Sequence, residues 1–486
     1  MKTDEDYRKI INSLKRRKNG AAIADLCAAT ALPLSKANEL ALRAVDEYSG
    51  HLRVTSSGEI LYHFPNGFIN RYRGFGAVFN RFLNKTTDII KKTLSFLFKI
   101  WIMVMLVGYF ILFVAIALAS VIIQIAGRSD GKGGGKGGIN FGLFDIFIRI
   151  WFYSEITRVN KRAYPHDFNQ KTKNKRPMHK AIFSFVFGEE DPNRNWNDIK
   201  NRAIIEFLQA NNGVISLAEY MAFSGESSIE AEESILSFCV KFEGSPEITE
   251  DSTVVYRFEK LLLRSGKEGN DKSGLLIPPV KRLKIFSVNK KNQNILFVII
   301  NAVNLLFGSY FFYQSNVFGH LADIVQYQAA PVIYAYTHYF LQFIMIDPSN
   351  FIRIALGIVP LAFSILFWII PLIRYFLMKK NNSEIKLSNF KRFGFNRIWA
   401  LCQKIEKDDF KPASDECSAD NLQKAFDRVI LDISAVSNPE IEITDNGKTV
   451  YSFKELEKEK MALEKYRKNI DMSKSQLGDT VFDSAM

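Results

Sequence analysis

The chain has 486 residues, and its 64 lysines and arginines against 51 aspartates and glutamates give a formal net charge of +13. This length leaves room for several domains, because a domain usually takes about 100 to 200 residues. A basic chain suits nucleic acid or anionic lipid, and many of its basic residues flank long apolar runs, which favours lipid. The cysteines lie far apart, which excludes a disulfide framework and a zinc or iron–sulfur ligand set of usual spacing. We predict no cofactor, three buried thiols and one loop thiol among Cys27, Cys239, Cys402 and Cys417.

The first predicted domain, residues 1–66, combines helices with a terminal hairpin. Apolar spacing predicts helices at Tyr7–Lys18, Ala22–Thr30 and Ser35–Glu47, with Ser35 as the N-cap of the third helix. After them, apolar and polar residues alternate from Val54 to Phe64 around a Ser-Ser-Gly turn, which predicts two strands. Three helices closed by such a hairpin are typical of a winged-helix fold.

The first membrane region follows a basic juxtamembrane helix at residues 67–99. Residues 100–126 carry no charge, which predicts a transmembrane helix, and residues 127–138 are a Gly-rich linker. In the next segment, residues 139–156, the stretch Ile139–Ser154 has only Asp145 and Arg149 as charges, and their spacing lets them form an intramembrane ion pair. We predict that this segment returns through the membrane. The alternative is an amphipathic helix on the membrane surface, which would leave the first domain outside.

A distinctive motif closes the connector at residues 157–194. It is Ser184-Phe-Val-Phe-Gly-Glu-Glu-Asp-Pro-Asn193, and its last three residues are typical of a turn. Its acids precede a predicted helix, whose N-terminal dipole they stabilise. One interpretation is an anchor for the following domain, and the other is a docking site for a protein partner or a lipid headgroup. The candidate interaction residues are Phe185, Phe187, Gly188, Glu189, Asp191, Pro192 and Asn193.

Two later stretches, residues 195–264 and 397–453, resemble the first domain. The predicted helices are Trp196–Asn211, Leu217–Phe223 and Ser228–Lys241 in the second, and Arg397–Ile405 and Ala419–Val436 in the third. The hairpins align, because seven positions separate threonine from tyrosine in each of the pairs Thr55/Tyr62, Thr249/Tyr256 and Thr444/Tyr451. We therefore predict a mainly α fold with small β-wings, made of three winged-helix-like domains plus a helical transmembrane region. Residues 454–486 are predicted to be a charged helix, Lys454–Lys468, and a mobile tail.

The second membrane region lies between two basic linkers, residues 265–294 and 374–396. Residues 295–313 and 355–373 are apolar and predict two transmembrane helices. The connection at residues 314–350 has no lysine or arginine, so the positive-inside rule places it outside the cytoplasm. Its apolar stretch Val332–Ile346 is predicted to be interfacial or re-entrant. His320, Asp323 and His338 could hold a divalent metal, although histidines at an interface usually do not.

The motif at residues 184–193, with Leu477-Gly-Asp-Thr-Val-Phe-Asp483 near the C-terminus, resembles a family of uncharacterised membrane proteins found in cyanobacteria, other bacteria and chloroplasts. The resemblance covers most of the chain and implies a membrane location. Some plant members carry an iron–sulfur-assembly label, which the cysteine spacing of this chain does not support.

Winged helices often place their third helix in the DNA major groove. Here the third helix of the second domain carries Glu230, Glu232 and Glu233 against Lys241, a surface that phosphate would repel. A basic cluster, Arg16 to Lys18, lies instead at the end of the first helix. We therefore expect these domains to bind proteins, and nucleic acid is not an expected partner.

No catalytic or metal-binding arrangement emerges from the scattered polar residues. We expect a non-enzymatic membrane scaffold or regulator in the bacterial cytoplasmic membrane, with soluble domains mainly in the cytoplasm. Its expected partners are membrane lipids and either other proteins or another copy of the chain. One alternative is a membrane-tethered transcription regulator. Another is a small transporter, channel or lipid-handling protein, supported by Phe-rich helices and the Asp145/Arg149 pair.

Overall fold

The computed structural model describes residues 2–17, 19–65, 67–68, 75–126, 176–265, 277–319, 321, 324–344, 347–412, 414–445, 447–470 and 477–484. The chain is mostly helical and carries small sheets, and it divides into two compact units. The sheet-bearing unit comprises Met1–Phe82, Glu190–Lys284 and Lys379–Met486. The helical unit comprises Leu83–Glu189 and Ile285–Met378.

The first helix–hairpin segment of the sheet-bearing unit closely follows its predicted order. Its helices are Lys2–Lys15, Ile23–Thr30 and Leu34–Tyr48, and its strands are β1 (His51–Thr55) and β2 (Ile60–His63). The predicted N-cap Ser35 is wrong, because the third helix begins at Leu34 and Pro33 precedes it with φ −55°. Proline fixes φ near this value, and the N-cap therefore lies two positions earlier than the predicted Ser35.

The second helix–hairpin segment matches its predicted helices to within one residue at each end. Its helices are Trp196–Ala210, Leu217–Ser224 and Ser228–Phe242. A short strand, β3 (Val214–Ser216), follows the first helix, and the hairpin consists of β4 (Ser245–Ile248) and β5 (Val254–Arg257). The hydroxyl of Ser216 accepts from the N–H of Glu219, whose carboxylate accepts from the N–H of Ser216, so a capping box starts the middle helix.

The third helix–hairpin segment differs from its prediction at its first helix. The predicted linker at residues 374–396 and the predicted helix Arg397–Ile405 are wrong, since one helix runs without a break over Val359–Leu401. It ends where Cys402 and Lys404 take left-handed φ angles, and Ile405 then enters a strand. The remaining elements are β6 (Ile405–Glu406), a 3-10 turn at Lys407–Phe410, a helix at Leu422–Ser434, β7 (Glu440–Ile443) and β8 (Thr449–Ser452).

One tyrosine occupies the same pairing position in each hairpin. It lies in the second strand, opposite a residue of the first strand and opposite a residue that follows the segment's first helix. The two neighbours are Leu52 and Ala21 for Tyr62, Pro246 and Ile215 for Tyr256, and Ile441 and Ile405 for Tyr451.

The predicted mobile tail is wrong for residues 477–484. After the helix Lys454–Asn469, the strand β9 (Thr480–Asp483) pairs antiparallel with β1, which gives the sheet order β2-β1-β9. The Asp483 carboxylate accepts from Nε of Arg53 at 2.7 Å. Pairing with β1 satisfies backbone groups that a free tail would leave to water, and it covers an exposed sheet edge.

A shared apolar core joins the three helix–hairpin segments. Buried side chains from all three form one continuous cluster, including Leu26 of the first, Phe258 of the second and Phe410 of the third. Each segment is too small to bury much apolar surface by itself, so a common core stabilises the three segments more than separate cores would.

In the described part of the chain, three helices are long and apolar enough to cross a membrane. The first runs through Phe75–Met103, a π-helical turn at Val104–Gly108 and Tyr109–Ala126. The second is Lys291–Val317, and the third runs from Pro348–Phe351 through a π-helical turn at Ile352–Ile358 into Val359–Leu401.

Shorter helices accompany these three, at Met178–Phe187, Ile324–Ala329 and Val332–Phe343. The last has 12 residues. At 1.5 Å per residue it spans about 18 Å, less than a hydrocarbon layer of about 30 Å, which fits the prediction of an interfacial or re-entrant stretch. The predicted linker 127–138 and the segment 139–156, with Asp145 and Arg149, lie outside the described residues.

The first and second long helices run parallel to each other. Their contacts advance together along both chains, because Asn304 donates to the Leu106 carbonyl at 2.7 Å while Phe113, further along, stacks on Phe307 and Phe311. The third long helix runs antiparallel to both. In the second helix, Asn301 contacts the Ser364 carbonyl and the later Phe312 contacts the earlier Gly357. In the first helix, Trp101 contacts Phe363 and the later Tyr109 donates to the carbonyl of the earlier Ala355.

Candidate interaction sites

The two phenylalanines of the motif have different surroundings in the helical unit. Phe185 is buried on the helix Met178–Phe187, and its ring contacts those of Phe286, Phe297 and Phe367. Phe187, at the end of the helix, is partly exposed and lies against Phe98. Phe185 is therefore a core residue, and only Phe187 offers surface to a partner.

Gly188 makes room for a half-buried arginine. Its φ of 85° lies in a region that residues other than glycine rarely adopt. A Cβ at this position would also overlap Nη1 of Arg374. Arg374 uses this space to donate from Nη2 to the Phe185 carbonyl at 2.7 Å, and its guanidinium lies 4.2 Å from the centre of the Phe286 ring. A glycine is thus required at position 188 by the packing of the helical unit, without any role in docking.

Glu189 is held by its own unit as well. Its carboxylate accepts two hydrogen bonds from the guanidinium of Arg176, at 2.6 and 3.0 Å, and one from the hydroxyl of Ser184. The bonds from Arg176 hold the pKa of Glu189 below its usual range. A carboxylate with both oxygens occupied suits an anchor better than an open docking site.

The last residues of the motif belong to the sheet-bearing unit. Asp191 accepts from the N–H of Asn193 at 2.9 Å, which closes the predicted turn around Pro192. The Asp191 carboxylate also pairs with Lys284 at 2.8 Å. Asn193 donates from Nδ2 to the Arg282 carbonyl and accepts from the Arg282 N–H, at 2.7 and 2.9 Å.

Two further asparagines repeat this two-way bond on the same stretch of chain. Asn382 binds the N–H and carbonyl of Lys284, and Asn389 binds those of Lys281. Within the predicted basic linker, residues 265–294, three asparagines thus bind the backbone of Lys281–Lys284. Sequence analysis missed Asn382 and Asn389, although their spacing of seven places them on one face of a helix and could have revealed them.

An apolar stripe with acidic neighbours lies open on the helix Ser228–Phe242. Ile229, Leu236 and Val240 are 73%, 47% and 83% exposed, and their spacing places them with the exposed Glu233 on one face. We call these four residues the acidic–apolar stripe. Glu230, by contrast, caps the helix by accepting from the N–H and hydroxyl of Ser227.

An exposed leucine recurs in the third helix of each helix–hairpin segment. Each lies at the same distance in sequence before its hairpin tyrosine, and all are more than two-fifths exposed (Leu42, Leu236 and Leu431). Single exposed leucines are common on protein surfaces, so their shared position is the informative feature.

The basic cluster at the end of the first helix is partly used inside the fold. Arg17 pairs with Asp25, which is almost fully buried and also accepts from the N–H and hydroxyl of Ser265. Lys18 lies outside the described residues. Arg17 is therefore committed to an internal ion pair rather than to a phosphate-binding surface.

The remaining candidates give no assembled site among the described residues. Cys27, Cys239 and Cys402 are buried and Cys417 is partly exposed, which confirms the predicted thiols. Of the three possible metal ligands, His320 and Asp323 lie outside the described residues, and the buried His338 bonds through Nδ1 to the Tyr327 hydroxyl at 2.8 Å. No group of three or more His, Cys, Asp or Glu side chains suited to a metal occurs in the described part of the chain.

Comparison with known proteins finds one similarity that spans most of the chain. The chain is 25% identical over 401 residues to an uncharacterized chloroplastic protein of Arabidopsis thaliana, which covers 77% of this chain and 69% of the plant protein. No protein-family model matches the chain. No solved structure matches it either.

Proposed function

We propose that this chain is a non-enzymatic membrane scaffold or regulator whose helix–hairpin segments bind protein partners or another copy of the chain. The acidic–apolar stripe carries the proposal. Apolar side chains gathered on one exposed helix face gain most when a partner protein covers them. The carboxylates of Glu232 and Glu233 beside them would repel nucleic-acid phosphates, so a protein is the better partner.

We also infer that the three helix–hairpin segments are winged helices. The matching neighbours of Tyr62, Tyr256 and Tyr451 support this, because the same three-stranded arrangement recurs after each set of helices. Use of a winged helix for protein binding is consistent with the general rule that a fold does not fix a function.

The membrane topology we propose has an even number of crossings, with the basic helix ends in the cytoplasm of a bacterial cell. The parallel course of the first two long helices supports it. Ala126 ends the first helix at one end of the helical unit, whereas the helix Met178–Phe187 packs near Ile102 and Phe297, at the other end. The helix Met178–Phe187 thus lies towards the end of the helical unit at which the second long helix begins, which is the position that an even number of crossings requires.

Photocrosslinking tests the proposed partner-binding face. A photoreactive phenylalanine is placed at Leu236 or Val240 of the full-length protein in native membranes, and at Met461 as a control of similar exposure on another helix. We expect discrete protein adducts from the first two positions and none of the same size from Met461. Loss of those adducts in a Glu233→Lys variant would tie them to the acidic–apolar stripe. Equal adducts at all positions would overturn the proposal.

A second candidate function, transport or lipid handling, has one specific observation in its favour. Asn301, Asn304 and Ser364 are fully buried among apolar helices, and the side-chain oxygen of each has no hydrogen-bond partner in the described structure. Buried polar groups in membrane helices often mark a path for polar species. Flux of small ions into liposomes containing the protein, abolished by Asn304→Leu while the crosslinks at Leu236 persist, would favour this function.

A further inference from the structure

Two cations lie against one indole ring in the sheet-bearing unit. The guanidinium carbon of Arg392 is 4.4 Å from the centre of the Trp196 ring, and Nζ of Lys281 is 5.1 Å from it. Trp196 opens the helix Trp196–Ala210, whose N-terminal end carries a partial positive charge. Three positive features therefore meet at one place.

The hydrogen bonds that hold the Arg392 side chain come from uncharged groups. Arg392 donates from Nε to the carbonyls of Phe223 and Ser224, from Nη1 to Asn389 and from Nη2 to Ser388, all of them uncharged acceptors. Asn389 in turn binds the backbone of Lys281. This arrangement fixes the Arg392 side chain and the backbone of Lys281.

Carboxylates are scarce at this place. Among the described residues, no carboxylate lies within ion-pair distance of Lys281 or Arg392. Glu226 attracts both cations from further away, but its carboxylate pairs with Lys200 at 3.1 Å. The pKa of Lys281 is lowered by its partial burial and by the charges of Arg392 and Lys200. Uncompensated charge that is partly removed from water is costly, and an anion would remove the cost.

We propose that Lys281 and Arg392, beside Trp196, form a binding site for a phosphate group. A guanidinium, an ammonium and a helix N-terminus are together the usual recognition elements for phosphate. Arg392 is almost fully buried, whereas Trp196 and Lys281 are partly exposed, so a group arriving from solvent meets Lys281 first. The phosphate can be free or can belong to an acidic lipid headgroup, since Lys281 precedes the apolar helix Lys291–Val317 by only a short stretch of chain.

The test uses the full-length protein in an uncharged detergent and follows its thermal unfolding. Inorganic phosphate is titrated at constant ionic strength, with chloride as the replaced anion. We expect a saturable rise in the unfolding temperature, because a ligand that binds the folded state alone stabilises it. In Lys281→Gln the apparent affinity should fall by about tenfold or more, since a hydrogen bond to a charged group is lost. The backbone bonds of Asn389 remain in this variant.

Two control variants test whether the effect depends on the positive charge at position 281. Lys281→Arg should restore most of the affinity, and Lys458→Gln, on an exposed face of the helix Lys454–Asn469, should leave it unchanged. Mixed micelles with short-chain phosphatidylglycerol or phosphatidylcholine distinguish the sources. Stabilisation by both phosphate and phosphatidylglycerol assigns the site to the phosphate group, and stabilisation by phosphatidylglycerol alone assigns it to a lipid headgroup.

The proposal is overturned if phosphate and chloride give the same unfolding temperature and phosphatidylglycerol has no effect. It is also overturned if the stabilisation survives Lys281→Gln unchanged. No protein partner enters this experiment, so its failure would leave the proposed scaffold function untouched.

Discussion

The side-chain amide of Asn389 binds the backbone of Lys281 in both directions. Its Nδ2 donates to the Lys281 carbonyl at 2.7 Å, and its Oδ1 accepts from the Lys281 N–H at 2.9 Å. The same Nδ2 donates to the Glu416 carbonyl, and the same Oδ1 accepts from Arg392. One buried amide thus makes hydrogen bonds to Lys281, to Glu416 and to Arg392 of its own helix.

Replacing Asn389 with alanine should therefore destabilise the protein by about 2 to 3 kcal/mol, because several buried partners lose their bonds at once. Asn193→Ala removes two bonds at a more exposed place and should cost about 1 kcal/mol. The exposed Asn197→Ala serves as the control and should change stability by less than about 0.5 kcal/mol. Chemical unfolding of the detergent-purified variants measures all three, and equal stability of Asn389→Ala and Asn197→Ala would contradict the argument.

Gly188 gives a second prediction, because two separate costs meet there. An added methyl would overlap Nη1 of Arg374, and the φ of 85° is itself unfavourable for alanine. Gly58 has a similar φ of 81° with nothing within 4 Å, so Gly58→Ala measures the cost of a positive φ without any close contact, expected at about 1 kcal/mol. Gly188→Ala should cost about 2 kcal/mol more than that.

The excess cost at Gly188 should depend on the arginine. In an Arg374→Ala background the overlap disappears, so the cost of Gly188→Ala should fall by about 2 kcal/mol and only its backbone cost should remain. Unfolding midpoints of the single and double variants give this comparison. If the cost at Gly188 is unchanged in the Arg374→Ala background, the close contact is not its cause.

Most of the helices and hairpins could be predicted from the sequence, because local patterns determine them. Alternation around Asp445 and around Asp251 predicts strands, and the apolar spacing of Trp196–Ala210 predicts its helix. The C-terminal strand β9 escaped prediction for the opposite reason. Four residues are too few to show a period, and their partner β1 lies more than four hundred residues earlier in the chain.

The contacts of the candidate sites were harder to predict, because they depend on tertiary partners. The motif residues Gly188 and Glu189 looked like docking chemistry, yet they are engaged by Arg374 and Arg176 within the same unit. Arg392 looked like part of a solvated linker, since basic residues near a membrane helix usually face lipid headgroups or water. The structure instead places Arg392 on the continuous helix Val359–Leu401, where its side chain is buried.

Glu459 predicts a pH dependence of stability. It lies on the helix Lys454–Asn469, where burial raises the pKa of its carboxyl from an ordinary 4.5 to about 7, and the charge of Glu219 adds to the effect. The folded state therefore binds this proton more tightly than the unfolded state. Its contribution is complete below about pH 4.5 and is lost as the pH rises through 7.

We expect Glu459→Gln to remove this loss. Between pH 5 and pH 8 the wild-type protein should lose about 2 to 3 kcal/mol of stability relative to the variant, at 1.36 kcal/mol for each unit of pKa shift. Glu464→Gln, on the exposed side of the same helix, should follow the wild-type curve. Denaturant unfolding at several pH values measures the difference, and parallel curves for wild type and Glu459→Gln would refute it.

The parallel course of the first two long helices predicts the accessibility of their ends. Lys92 lies near the beginning of the apolar span of the first helix, Ile89–Ile122. Lys290 directly precedes the second helix, and Asn316 lies at the far end of it. Single cysteines at these positions, in a background where Cys417 is serine, are exposed to a membrane-impermeant thiol reagent in intact bacterial cells. Since basic ends stay in the cytoplasm, only the cysteine at Asn316 should react, and all three should react after the membrane is opened. Reaction at Lys92 without reaction at Lys290 would place the two helix beginnings on opposite sides and would exclude their parallel packing.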